Sequence, residues 1–405
     1  FGSINGSVLA NTVSTGAITI PLMKKVGYRP HIAAAVETIA STGGQILPPV
    51  MGAGAFIMVE LTGVPYLDII KVAAIPGILF YLSIFVIVHL EAKRTGIALI
   101  PADALPAFGQ VLRKGWYLAT PLVVLVVLLF QGYSPNYSAF WTLVAVVVVS
   151  WFRPENRMGP RKIVDACVEG MMTSLTVGSL MGAIGIFIGV IVLTAAGLKF
   201  SHALIGLSGG NLFLALLLVG VASLVLGMGM PITAAYLLLA VLAAPALKEM
   251  GASLLAAHLA IFWFSQDSNV TPPVCLGAYA AAGIANADPW RTGITAFRFG
   301  LVLLLMPFLF IFEDYLLLDG TLLQNLWAVT LTTLGVVAYS AWTMRYAFQQ
   351  TTIPEWLLLG VAWIAMLWPD WRTETFGLAA GALFLIWHWS RYRKLQARAA
   401  GTQPG

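Results

Sequence analysis

Phe264-Ser265-Gln266-Asp267-Ser268-Asn269-Val270-Thr271-Pro272-Pro273 places an aspartate and five uncharged polar side chains directly before a proline pair, inside an otherwise apolar stretch. Proline has no N–H to donate and its ring clashes with the preceding turn, so a helix entering this segment must break there. Flanked by apolar runs on both sides, the break reads as an interrupted membrane helix that frees backbone carbonyls at membrane depth. An ionisable side chain at such a place is a functional hypothesis by default.

The same pattern occurs earlier in the chain. A shift of 224 residues places Pro21 on Pro245, Pro48 and Pro49 on Pro272 and Pro273, and Pro65 on Pro289. With proline at about one residue in twenty, chance supplies well under one such match. Lys24 on Lys248, Gly27 on Gly251, Ala10 on Ala234 and Val50 on Val274 keep the same register. Each copy reads as a small-residue helix, a polar turn, a long apolar helix broken at Pro-Pro, then a full span. Internal symmetry of interrupted hydrophobic segments points to a transporter site between two repeats.

Composition sets the environment. Of 405 residues, 59% are hydrophobic and 10% charged, where soluble domains carry about 25% charged residues. Ile70–Leu90, Leu118–Phe130, Phe140–Trp151 and Ala296–Phe312 are nearly uncharged over roughly bilayer-spanning lengths. The net charge of +5 sits in short loops and the C-terminal tail, which is an orientation signal and not a nucleic-acid surface. Placing Arg391, Arg393, Lys394 and Arg398 in the cytoplasm leaves Lys24, Lys25 and Arg29 inside and the acidic Glu313–Asp319 loop outside. The two copies are then inverted, provided that residues 211–246 form an outer re-entrant hairpin with its tip at Gly227-Met228-Gly229-Met230-Pro231.

The expected organisation is a first repeat over 1–90, a connecting amphipathic segment and scaffold spans over 91–170, a second repeat over 171–314, and an extension with three spans and a basic tail over 315–405. The first repeat holds the second arm of an inner hairpin, a broken helix over 31–60 and a span over 70–90. The second holds the outer hairpin, a broken helix over 254–287 and a span over 295–312. The start at Phe1, with no initiator Met and no signal-peptide layout, reads as an internal piece preceded by at least one further unit.

Ser265, Asp267, Asn269 and Thr271 form an oxygen-rich set that, with freed carbonyls, suits a hard cation such as Na⁺; Asp267 alone suits a proton. The plainer alternative is that they cap two half-helices. The first copy offers Thr38, Ser41, Thr42, Gly43, Gly44 and Gln45 before Pro48, with Glu37 about two turns earlier, facing a polar interior, pairing with a base or coupling to an ion. At the outer tip, Gly227 and Gly229 permit close backbone approach, and Pro231 starts a helix whose free N–H groups favour an anion. Asn5-Gly6-Ser7, with Asn11 beyond it, is the inner counterpart. The expected substrate contacts are Asn5, Ser7, Asn11, Ser41, Thr42, Gly227, Gly229 and Thr233, with a carboxylate held between the tips; the alternative is glycines that only permit a turn.

Gly178, Gly182, Gly185 and Gly189 read as a close helix-packing face. The five histidines have no ligand spacing, and Cys167 and Cys275 no metal or redox motif, so neither metal chemistry nor a disulfide is expected.

Gly6-Ser7 leading into Ile20-Pro21-Leu22-Met23-Lys24, Ile46-Leu47-Pro48-Pro49, Gly227-Met228-Gly229-Met230-Pro231 and Thr271-Pro272-Pro273 occur in an order that resembles the large membrane subunit of TRAP transporters, the tripartite ATP-independent periplasmic family. The resemblance covers Phe1 to about Asp314, and the tail from Leu316 is similar to the extension of fused permeases that serve TAXI-type binding proteins. It implies an all-α integral membrane protein of the inverted-repeat, ion-transporter elevator type, with two re-entrant hairpins and two discontinuous helices. It also implies residence in the cell inner membrane, a periplasmic substrate-binding protein as partner, and a small-subunit region fused upstream or separate. Na⁺ sites are implied where each hairpin meets its broken helix, which maps onto Gly43, Gly44, Gln45 and Pro48 and onto the stretch from Asp267 to Pro272. Proton coupling through Asp267 is the implied alternative. The resulting expectation is a cation-coupled importer of small organic acids, C4 or C5 dicarboxylates or amino-acid-like acids, with no cofactor besides the coupling ion. A membrane-embedded enzyme would need a catalytic constellation that the sequence does not offer, and the broken repeats favour alternating access over a channel.

Overall fold

In the computed structural model, residues 2–97 and 107–400 are described, without the side chains at 4, 5, 176, 177, 180 and 398–400. The described chain is helical apart from one isolated antiparallel bridge between Tyr346 and Gln350.

The first copy contains α1 (Gly2–Asn5), α2 (Val8–Lys25), α3 (Pro30–Gly43), α4 (Ala53–Thr62) and α5 (Tyr66–Thr95). A pair of helices, α6 (Phe108–Gly115) with α7 (Thr120–Phe130), then α8 (Pro135–Ser150), leads to the long α9 (Pro160–Leu193) and to α10 (Ala196–Ser208), which turns 71° from α9. The second copy follows as α11 (Leu212–Gly227), α12 (Ile232–Glu249), α13 (Leu254–Phe264), α14 (Leu276–Ala285) and α15 (Pro289–Phe312). Three more helices close the chain: α16 (Leu322–Met344), α17 (Ile353–Met366) and α18 (Trp371–Ala400).

The shift of 224 carries α2 onto α12 at both ends and the start of α3 onto the start of α13. Local chemistry sets these limits. Asn211, Ser253 and Asp288 each cap a helix start by accepting an N–H, from Leu214, Ala256 and Arg291 respectively. Gly27 and Gly251 take the left-handed φ of 115° and 104° at the turns that lead α2 into α3 and α12 into α13. Both proline pairs are joined by a cis bond.

Packing crosses between the copies. α14 lies against α2 and α3, while α4 lies against α12 and α13, so each half-helix beyond a break rests on the other repeat. Small residues set the approach: a Cβ at Gly277 would stand 3.2 Å from both Val8 and Thr38, and one at Gly54 would stand 2.6 Å from Phe262. An aromatic layer supports the breaks, with Trp263 edge-on to Phe80 at 6.1 Å and packed on Phe310 at 6.0 Å. Trp263, Phe80 and Phe310 are fully buried. Outward-facing side chains are large and apolar, Phe85 at 70% and Ile386 at 70% exposure among them, as a lipid-facing surface requires.

Five helices among the described residues are long and apolar enough to cross a bilayer: Tyr66–Thr95, Phe108–Phe130, Ile232–Glu249, Pro289–Phe312 and Leu322–Met344. Two details differ from expectation. The junction expected between residues 170 and 171 falls inside α9, because Gly159 and Pro160 already supply the helix start. The stripe Gly178, Gly182, Gly185 and Gly189 has open space beside it, with no described atom within 4 Å of an added Cβ. It is therefore not a packing face within the described chain.

Candidate substrate and ion site

The first break runs from Gly44 to Gly52 and meets the start of the chain. Gly44 lies so close to α1 that an added Cβ would be 2.6 Å from the Gly2 Cα and 2.9 Å from the Ser3 nitrogen. Asn11 on α2 donates to the Ser41 hydroxyl at 2.8 Å, and Ser41 faces Glu37 at 3.4 Å. Thr15 and Thr19 hydroxyls close on the two Glu37 oxygens. Glu37 is thus a buried carboxylate clamped by three hydroxyl groups, with no basic partner among the described residues. Ser7 caps α2 by accepting from the Ala10 N–H at 3.3 Å, and Thr42 bonds one turn back to Thr38. Gly43 packs on Phe80, Gln45 is buried beside Gly52, and Pro48 is half-buried. The Asn5 side chain is outside the described residues.

Some carbonyls freed by the breaks are taken by tyrosines. Tyr81 donates to Ala40 at 2.8 Å, Tyr66 to Pro49 at 3.2 Å and also to Val50, and Tyr279 to Pro273 at 2.8 Å. These oxygens are engaged by the protein itself, which narrows the set open to an ion. Asn11 Oδ1, Thr12 Oγ1 and Ser3 Oγ remain buried without a hydrogen-bond partner.

The second break, Ser265 to Cys275, has a different polar inventory. Ser265 bonds the Ile261 carbonyl at 2.7 Å, so its hydroxyl is spent within its own helix. Asp267 is 1% exposed, and its Oδ2 has no hydrogen-bond partner. Gln266 Oε1, Thr271 Oγ1 and Ser223 Oγ are buried and unpartnered too. Buried polar atoms are normally paired, and each exception asks for an explanation. Three of these four acceptor groups lie on the break itself. The fourth, Ser223, is on α11, one turn before Gly227, whose added Cβ would stand 3.1 Å from Ser268 Cβ. Asn269 is half-buried, and its amide reaches the Gln266 carbonyl at 3.5 Å. Gly229 is exposed with φ of 77°, and Thr233 is half-buried just inside α12, whose start has no side-chain cap.

The two halves meet. A Cβ on Gly277 would be 3.4 Å from the Asn269 carbonyl and 3.2 Å from Val8, the first residue after the inner tip. Hairpin contact is also made twice with the sizes exchanged. The shift that carries Gly44 to Ser268 carries Ser3 to Gly227, so the glycine stands on the break in one copy and on the hairpin in the other.

Sequence reasoning named Asp267, Thr271, Gly44 and Gly227 and placed Gln266 at the break without giving it a role, but missed Ser223, Thr12 and the tyrosines. Ser223 was within reach, since it lies four residues before Gly227 on the same helix face.

The model of the tripartite ATP-independent periplasmic transporter, DctM component, matches residues 1–321. The chain belongs to this family. Members of the TRAP permease family are transporters, not enzymes. The match ends close to the extent expected from the motifs, and it leaves α16, α17 and α18 outside. The isethionate TRAP transporter permease protein DctMQ of Oleidesulfovibrio alaskensis is 25% identical over 71% of this chain and 45% of its own length. The sialic acid TRAP transporter permease protein SiaT of Haemophilus influenzae is 19% identical over 71% of this chain and 46% of its own. A putative TRAP transporter large permease protein of Haemophilus influenzae is 23% identical over 77% and 73%. The chain spans about half the length of the first two relatives. It is an all-helical, multi-pass membrane chain of the TRAP permease family.

Proposed function

We propose that this chain forms the membrane permease part of a cation-coupled, binding-protein-dependent secondary transporter for small organic acids in the cell inner membrane. The observation that carries the reading is the second break, where Asp267 Oδ2, Gln266 Oε1 and Thr271 Oγ1 are buried without partners beside the tip of α11. Oxygen ligands of this kind suit a hard cation. The free N–H groups at the start of α12 complement the carboxylate of a substrate. Ion ligands are assigned to Asp267, Thr271 and Asn269, with the Ser265 carbonyl in place of its engaged hydroxyl, and in the first copy to Gly43, Gly44 and Gln45. Substrate contacts are assigned to Asn5, Asn11, Gly227, Gly229 and Thr233.

Further support comes from the two relatives named for isethionate and sialic acid, both organic acids. C4 and C5 dicarboxylates or amino-acid-like acids are the proposed class here. The two copies move as an inverted-repeat elevator, residues 1–90 and 171–314 carrying the site, with α11 and α12 re-entrant. A TAXI-type periplasmic binding protein delivers the substrate, and α16 to α18 form the extension of a fused permease whose small-subunit region lies upstream or on a separate chain.

A second reading, proton coupling, is favoured by one observation: Asp267 is the carboxylate at the break, and its Oδ2 meets no donor. The test is uptake of labelled dicarboxylates into liposomes holding the full-length protein, with the binding protein outside and Na⁺ or proton gradients imposed separately. Uptake that needs the binding protein and one gradient supports the proposal and names the ion. Uptake independent of both gradients overturns it.

A further inference from the structure

At the opposite end of α3 from the break, a cavity of about 450 Å³ opens between α3, α5, α15 and α16. Arg29, Arg94, Arg291, Arg298, His31 and Trp290 are among its lining residues. Two of the guanidinium groups are accounted for. Arg94 pairs with Glu91 at 2.7 Å, and Arg298 donates to the Thr343 carbonyl. Arg29, Arg291 and His31 make no side-chain hydrogen bond or ion pair with the described residues. Asp288, the nearest acid in sequence to this rim, is occupied in capping α15 through the Arg291 N–H at 2.6 Å. Four arginines therefore line one cavity, and among the described residues the one carboxylate paired with any of them is Glu91, on Arg94.

Like charges gathered in a cavity repel unless a counter-charge joins them. Guanidinium forks match the oxygens of a phosphate, and several forks converging on one space match it better than any carboxylate still free there. Trp290 and Ile294 stand at the same rim with 54% and 47% exposure, which gives the cavity an apolar lip. The basic-loop distribution assigns this end to the cytoplasm, where anionic lipid headgroups meet basic pockets between spans.

We propose that this cavity binds a phosphate-class anion, carried by an anionic phospholipid whose chains run along Trp290 and Ile294, or present as free phosphate. The anion neutralises Arg29 and Arg291 and ties the start of the broken helix α3 to α15 and to the C-terminal α16. The site is separate from the breaks, so it stands whether or not the transport reading holds.

The experiment uses the full-length protein, purified and delipidated in detergent. Native mass spectrometry and thermal melting are followed with phosphatidylglycerol, with phosphatidylcholine of the same chains, and with inorganic phosphate. Arg29→Gln/Arg291→Gln is compared with Arg29→Lys/Arg291→Lys, and with Arg161→Gln/Lys162→Gln, which removes the same charge at the exposed start of α9. Wild type is expected to retain and be stabilised by phosphatidylglycerol but not phosphatidylcholine. The Gln pair should weaken that binding about thirty-fold, while the Lys pair and the α9 control retain it. Stabilisation by inorganic phosphate that the Gln pair abolishes also supports the site and names the free ion as its source. Equal phosphatidylglycerol binding by wild type and the Gln pair, or no response to either anion, overturns the proposal. A Gln pair that melts early without additive is replaced by Arg291→Gln alone, read the same way.

Discussion

The two breaks share a backbone plan and differ in what their carboxylates do. In the first copy the acid is Glu37, withdrawn two turns into α3 and clamped by Thr15, Thr19 and Ser41. In the second, position 261 of the register is an isoleucine, and the acid is Asp267 on the break itself, with one oxygen unpartnered. A duplicated fold has thus put the same charge to two uses. One carboxylate fastens a hairpin arm to its broken helix, and the other is left with bonding capacity that the protein does not satisfy. Inside a membrane that capacity is costly, so of the two carboxylates Asp267 is the one with bonding capacity left for a ligand.

The comparison is tested first by its largest consequence. Glu37→Ala removes the acceptor of three hydroxyl contacts, and at about 1 kcal/mol or more each the loss is about 3 kcal/mol of stability. Thermal melting of the full-length protein in detergent measures it. Thr15 and Thr19 keep a carbonyl one turn back as an alternative acceptor, at 2.8 and 3.0 Å, so unfolding should not be complete. If melting is unchanged, Glu37 is not a fastener and the contrast fails. Asp267→Asn should behave oppositely. Stability is expected to be kept, because the unpartnered oxygen has no bond to lose, while loss of a charged ligand weakens binding of the proposed coupling ion by about ten- to a hundred-fold. Ion-dependent uptake in liposomes reads this, and full gradient-driven uptake by the Asn variant would remove Asp267 from the site. Next in size is Gly44→Ala, which drives a Cβ to 2.6 Å from the Gly2 backbone. Overpacking of this kind costs about 1–3 kcal/mol, against almost nothing for Ser268→Ala at the matching position, and parallel melts compare the two.

Much of this plan is legible in the sequence. Prolines fall at fixed register because each marks a place where the helix must change, so four of them sufficed to reveal the duplication. The polar run before Pro272 announced its own break for the same reason. What stayed hidden were pairings between helices. Nothing in the periodicity of α2 says that Thr15 and Thr19 reach Glu37, because a buried hydroxyl is equally content with the carbonyl of its own previous turn. Tyr81 reaching Ala40 across 41 residues is hidden for the same reason. The unit boundary expected at residue 171 lies within α9, because the apolar run begins after the helix does, while Gly159-Pro160 marks the helix start. Residue 261 shows the limit most clearly: the shift aligns backbones, and the chemistry placed on them has diverged.

The smallest expected effect isolates the hairpin contact itself. Ser3 and Gly44 in one copy become Gly227 and Ser268 in the other, so a side chain at both positions would be one too many. Gly227→Ala brings a Cβ to 3.1 Å from Ser268 Cβ and 3.4 Å from its hydroxyl, close enough to force a shift of a few tenths of an ångström. A cost of about 1 kcal/mol follows. Ser268→Gly alone should also cost about 0.5–1 kcal/mol, through backbone entropy. Combined, the two should cost less than their sum, because the glycine now stands on the break as it does in the first copy. A double-mutant cycle in thermal melting is expected to give a favourable coupling of about 1 kcal/mol. Strict additivity would mean that tip and break do not touch, and the free oxygens of Asp267 and Ser223 would then belong to separate surfaces instead of one site.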